Sequence, residues 1–150
     1  MANTFSQIYF HIVFSTKNRA DLIHRDIEER VWAYIGGIAK KHQMTPIQIG
    51  GIENHLHGLF GAPTTMAPSQ AAKYIKGDSS FWMHQEFPKL RDFAWQDGYG
   101  VFSVSKSLIP NVVDYIKRQR QHHEKQTFEE EFVELLRLHG IEFDERFLFG

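Results

Sequence analysis

The run Gln7-Ile8-Tyr9-Phe10-His11-Ile12-Val13-Phe14 is almost continuously β-branched or aromatic, which predicts a central strand from Ser6 to Phe14 covered on both faces. Helical spacing comes next. Ile27, Val31, Tyr34, Ile35 and Ile38 recur at intervals of three and four, with Asp26 placed to cap the helix and Lys40, Lys41 and His42 suited to its C-terminal end. A second strand, Pro46 to Ile52, leads through the short connection Glu53-Asn54 into a third, so the two form a hairpin. After the turn-rich Gly61-Ala62-Pro63-Thr64-Thr65, a second helix begins near Pro68 and carries Lys73, Tyr74 and Lys76. Trp95 and the glycine-flanked run Tyr99 to Val104 predict the fourth strand, and Pro110 opens a helix over about 108–124. Thr127 with Glu130 forms a capping box for a last helix, which Gly140 can end.

This order of elements predicts an α+β fold with a ferredoxin-like β-α-β-β-α-β antiparallel sheet and additional C-terminal helices. Such a fold hosts many functions, so it does not by itself establish one. At 150 residues and 42% hydrophobic content, the chain is expected to be one domain over 1–150 with a real core. There is no signal peptide, and no apolar run approaches the ~20 residues needed to cross a bilayer, so a soluble, cytoplasmic protein without membrane contact is expected. The absence of cysteine excludes disulfides and thiolate metal sites.

The formal charge of −1 hides an asymmetry. Residues 1–125 hold 15 Lys and Arg against 11 Asp and Glu, a balance of +4, whereas 126–150 hold 2 against 7, a balance of −5. The body is mildly basic. The acid is gathered in the C-terminal helix and tail (127–150), where it solvates the surface or contacts a partner subunit.

Within that frame, His55-Leu56-His57 carries the most chemistry, because alternate strand residues face one side and would aim two imidazoles at one point. Two neutral imidazoles can hold a divalent metal, but a third ligand must come from elsewhere. Gln119 is the candidate. It lies four residues after Tyr115, a spacing that puts phenol and amide on one helical face. Alone, each motif is weak: with nine histidines, chance supplies roughly 0.5 of a His-x-His, and Tyr115 reads equally as a core or rim aromatic. The joint pattern of a strand-borne His pair, a helix with Tyr115 and Gln119, and basic residues on that helix is one coherent phosphodiester chemistry.

With those residues, the chain resembles the single-tyrosine HUH transposases of small bacterial insertion sequences and their REP-associated relatives, almost end to end. Tyr9 to Lys17, Asp97 to Ser105, Thr127 to Phe132 and His139-Gly140-Ile141 carry the resemblance besides the His pair and Tyr115. Asn54 departs from it, standing where the family commonly has an acidic residue, although Glu53 is adjacent. The resemblance implies cleavage and rejoining of single-stranded DNA at insertion-sequence ends through a covalent 5′-phosphotyrosine on Tyr115. It also implies a divalent metal, Mg with Mn as an alternative, held by His55, His57 and Gln119. DNA with hairpin ends is the implied partner, and a homodimer sharing its active sites is the implied assembly, at the bacterial nucleoid.

Physical chemistry supplies the reasons. A phenol with a reference pKa of ~10 needs a base or a nearby positive charge to act as nucleophile. Retaining the phosphate as a tyrosine ester exchanges one phosphodiester for another, so no ATP site is needed. Lys106, Lys117, Arg118 and Arg120 suit phosphate-backbone contacts, against the plainer reading of a solvated helix face. Phe81, Trp82, Trp95 and Tyr99 are candidates for stacking on bases, with core packing the stronger expectation. His11 is expected to be a core or rim histidine on a strand face that could front the metal, and His122 and His123 are candidates to touch DNA, with an exposed helix end the plainer expectation. Two other classes compete: a domesticated, non-cleaving binder of single-stranded or hairpin DNA, and a metal phosphodiesterase using activated water, for which Tyr115 is dispensable.

Overall fold

The computed structural model describes residues 3–150. Its element order follows the expected one: β1 (Ile8–Ser15), α1 (Arg25–Lys41), β2 (Thr45–Ile52), β3 (His55–Ala62), α2 (Pro68–Glu86), β4 (Gly100–Ser103), α3 (Ile109–Lys117), α4 (Gln119–His122) and α5 (Phe128–Leu138). The sheet runs β2-β3-β1-β4, with each neighbouring pair antiparallel, and the fold is α+β and ferredoxin-like. Three boundaries differ from expectation. His24, not Asp26, is the N-cap of α1, and Asp26 sits in the first turn, where its charge complements the helix dipole. Trp95 lies outside β4 and makes an isolated bridge to Thr16. The tyrosine helix breaks at Arg118, whose ψ of 17° separates α3 from the single turn of α4.

Period-two alternation sorts the sheet residues into two faces. Phe10, Ile12 and Phe14 of β1 join Leu56 and Phe60 of β3 in the main core under α1 and α2. The opposite face presents Val13 and Phe102, and α5 covers them with Phe128, Phe132, Leu135 and Leu136. Each of those α5 side chains, when buried, contributes about 1.5–3 kcal/mol relative to exposure, so α5 is an integral layer of the domain. The capping box of Thr127 and Glu130 starts this helix, and Gly140 at φ 66° ends it.

The hairpin register carries His57 opposite Val13 and His55 opposite Ser15, both on the α5 side of the sheet. α3 packs against β2 beside them. A Cβ at Gly50 would lie 3.1 Å from the carbonyl oxygen of Ile116, so the glycine lets α3 approach the hairpin closely.

Candidate functional site

His55 and His57 are fully buried at 0% exposure, with Gln119 and Glu131 at 1%, so four polar side chains sit in the layer between the sheet and the C-terminal helices. Such a cluster persists only if its groups are mutually satisfied. Gln119 Oε1 lies 2.7 Å from His55 Nε2, and Gln119 Nε2 donates to Glu131 Oε2 at 3.1 Å. Glu131 Oε1 accepts from His57 Nε2 at 3.0 Å, and Tyr115 donates its hydroxyl hydrogen to Glu131 Oε2. The Tyr115 ring stands edge-on to His57 with centroids 5.6 Å apart. Thus the structure brings together His55, His57, Tyr115 and Gln119 within one chain, and adds Glu131 at their centre.

Neighbouring side chains orient both imidazoles. His57 Nδ1 lies 2.9 Å from His11 Nε2, and His55 Nδ1 lies 2.8 Å from Asn54 Oδ1. In the tautomers that would free both Nε2 atoms for a cation, Nδ1–H of His57 donates to His11 and Nδ1–H of His55 donates to Asn54. His11 therefore fronts the site from the same sheet face as Val13, and Asn54 itself supports His55. Glu53 turns away to pair with Arg120 at 2.9 Å.

The donor set fits a metal ion. Burial, and then the neighbouring His57, lowers the pKa of His55 to about 3, so it is a neutral imidazole with a single N–H. Yet it faces an oxygen acceptor on each side, Asn54 Oδ1 and Gln119 Oε1. A cation at Nε2 and Oε1 would satisfy both lone pairs. Ligand atoms of His55, His57 and Glu131 also lie within 4.8 Å of one another, and this buried group could hold a metal. Burial alone would raise the pKa of Glu131, but the imidazoles of His57, His123 and His55 together hold it well below the usual carboxylate range. Burial and then the Glu131 charge push the Tyr115 phenol up, well above its ordinary value of 10.

Glu131 and His123 were not among the site residues expected from the sequence. His123, expected on an exposed helix end, has its side chain only 4% exposed and places Nε2 3.0 Å from Gln119 Oε1 and 3.1 Å from Glu131 Oε1. The signal for Glu131 was present: Phe128, Phe132 and Leu135 put it on the apolar stripe of α5, where a lone carboxylate must have partners. The remainder of the acidic C-terminal helix does solvate the surface, as Glu129, Glu130 and Glu134 are exposed.

Among the basic residues, Lys106 and Lys117 are exposed, and Arg118 pairs with Asp114 at 3.2 Å on the helix surface. Arg120 is partly buried and bridges Glu28 of α1 at 3.0 Å and Glu53 of the hairpin turn at 2.9 Å. Of the aromatic candidates, Trp95 is buried in the core, Trp82 stacks on Tyr34 at 4.2 Å, Tyr99 packs against the core, and Phe81 is exposed. Tyr115 lines an open cleft of about 940 Å³ together with Asn111, Arg118, Gln121, His122 and Lys125, which gives an extended ligand a route to its ring.

The chain belongs to the IS200-like transposase family, whose model matches residues 4–119. It is similar to the transposase of insertion sequence element IS200 from Salmonella typhimurium, 28% identical over 125 residues that span 79% of this chain and 81% of that one. It is also similar to the ISDra2 transposase TnpA of Deinococcus radiodurans, 22% identical over 80% of this chain and 87% of that one. Two solved structures share the fold. A crystal structure of a candidate transposase from Deinococcus radiodurans superposes with a TM-score of 0.66 at 21% identity, covering 79% of this chain and 95% of that one. A REP-associated tyrosine transposase bound to a REP hairpin superposes with a TM-score of 0.60 at 13% identity, covering 82% and 73%. This chain is a transposase of that family, and among its described residues no helix is long and apolar enough to cross a membrane.

Proposed function

We propose that this transposase, acting as a single domain over 1–150, cleaves and rejoins single-stranded DNA through Tyr115, with His55, His57 and Gln119 holding a divalent metal, Mg or Mn. The observation that carries the reading is convergence. The Tyr115 hydroxyl and the Gln119 amide, four residues apart, both meet the layer into which His55 and His57 point.

In the reaction, the Tyr115 oxygen attacks the scissile phosphorus, the bond from phosphorus to the 3′ oxygen breaks, and that oxygen leaves as a 3′ hydroxyl after taking a proton. The product is a 5′-phosphotyrosine ester, which a 3′ hydroxyl can later reverse. His55, His57 and Gln119 would hold the divalent ion, which when bound would supply Lewis-acid stabilisation of the charge that develops on the phosphate. Tyr115 meanwhile must surrender a proton that burial and Glu131 now hold on it. Lys106 and Lys117 are free to meet the phosphate backbone, whereas Arg118 must leave Asp114 and Arg120 must exchange its two carboxylate partners to do so.

The relative bound to a REP hairpin supports hairpin DNA as the partner. A homodimer that exchanges tyrosine helices between subunits fits the 104–108 connection before α3. Mixed dimers of Tyr115→Phe and His57→Ala subunits test exchange, since cleavage surviving at one composite site requires it.

Incubation of the protein with hairpin-flanked single strands and Mg or Mn, followed by denaturing electrophoresis, tests the reaction. A denaturant-stable adduct abolished by Tyr115→Phe is expected. Binding without an adduct would mark a non-cleaving DNA-binding protein, and cleavage that survives Tyr115→Phe would mark a water-using phosphodiesterase.

A further inference from the structure

We propose that Glu131 is a working member of the active site that joins its two halves, Oε1 serving as a further protein donor to the metal ion and Oε2 as the acceptor that aims the Tyr115 phenol. The inference rests on the metal-centre reading above. It assigns a role to α5, which lies beyond the family-matched residues 4–119.

The two carboxylate oxygens have different surroundings. Oε1 lies 3.0 Å from His57 Nε2, 3.5 Å from His55 Nε2 and 3.1 Å from His123 Nε2, so it fronts the ring nitrogens that would bind a cation. Oε2 accepts from the Tyr115 hydroxyl and from Gln119 Nε2 at 3.1 Å, with His122 Nε2 at 3.6 Å. One side chain thereby touches the reacting phenol, the amide ligand and both imidazole ligands. Packing does not call for a carboxylate here. The α5 face that covers Val13 and Phe102 is made by Phe128, Phe132, Leu135 and Leu136, and an apolar residue at 131 would continue that stripe. An ionised group in this layer is tolerated because imidazole, phenol and amide donors surround it.

The geometry also gives the coupling a direction. A carboxylate bonded to metal through one oxygen keeps the other in place, so metal binding and phenol orientation become one event. Loss of Glu131 then damages both metal affinity and the rate at saturating metal.

The test uses the full chain and Mn(II) alone as the probe, with affinity read by calorimetry or by electron paramagnetic resonance. Glu131→Gln is expected to weaken Mn(II) binding about tenfold or more. Adduct formation at saturating Mn(II) is expected to stay slowed by about 100-fold, because the phenol is no longer aimed. Glu129→Gln, an exposed site on the same helix, should leave both unchanged. Unaltered Mn(II) affinity in Glu131→Gln overturns the donor role, and full recovery of rate at saturating metal overturns the aiming role. Tighter binding or faster adduct formation overturns both and makes Glu131 a plug over the site. Should Glu131→Gln fail to fold by circular dichroism, Glu131→Asp carries the test, its shorter arm predicting the same two losses. If instead His57→Ala binds Mn(II) as the wild type does, the metal-centre reading itself fails.

Discussion

Gln119 Oε1 and His55 Nε2 meet at 2.7 Å across 64 residues of chain. The contact is made because α4 is a separate turn after Arg118 and because Gly50 lets Ile116 close onto β2. It ties the helix of the nucleophile to the hairpin of the imidazoles. Gln119→Ala should therefore reduce Mn(II) affinity about tenfold or more and abolish the DNA adduct while leaving the fold intact, as calorimetry and circular dichroism would register. Unchanged metal affinity would remove Gln119 from the ligand set.

Arg120 gives a second test of how α4 is held. It bridges Glu28 and Glu53 at 3.0 and 2.9 Å, and all three side chains are partly exposed, so each pair contributes no more than about 1 kcal/mol. Arg120→Ala should lower thermal stability only slightly yet weaken Mn(II) binding by letting Gln119 move, and Arg120→Lys should recover part of that affinity. A large stability loss with normal metal affinity would show that Arg120 serves the fold alone.

Most of the fold was legible from residue pattern, and the candidate site about half so. Alternation and helical spacing are local properties, so β1, the β2-β3 hairpin and the capping box of α5 followed directly from sequence. The joint pattern of His55, His57, Tyr115 and Gln119 was legible because each member carries a recognisable chemistry at a helical or strand spacing. Glu131 was not, since its acidity matched the solvated glutamates around it and only its place on the apolar stripe set it apart. The ion pairs of Arg120 were not legible for a related reason: its charge suits DNA equally, and the partners it has here come from α1 and the hairpin, 92 and 67 residues away in sequence.

Acid should destabilise the metal-free protein in two overlapping stages. His11 and His55 have folded pKa values lowered to about 3 from 6.5, chiefly by burial and then by His57, so protonating them is penalised in the folded state. Their contribution is full above about pH 6.5 and is lost as pH falls toward 3. Glu131 is lowered from 4.5, burial being outweighed by the imidazoles, so its contribution is present above 4.5 and lost below it. Both signs agree. The melting temperature should fall steadily from pH 7 to 4, and a rise over that range would contradict the buried neutral imidazoles.

Gly50→Ala should harm the site through the backbone. The new methyl meets the Ile116 side chain and carbonyl oxygen at 3.1 Å, forcing α3 outward at a cost of about 1–3 kcal/mol. Reduced thermal stability together with slower adduct formation is expected. A variant of wild-type stability would mean that α3 relaxes without cost.

In the proposed reaction Tyr115 takes the 5′ end of the cleaved strand. After reaction with a hairpin-flanked single strand and Mn(II), trypsin cutting after Lys106 and Lys117 releases the peptide 107–117, and mass spectrometry can weigh it. That peptide should carry a nucleotide linked through its 5′ phosphate to Tyr115. Recovery of the peptide unmodified beside cleaved DNA, or of the nucleotide on another residue, would rule out Tyr115 as the nucleophile.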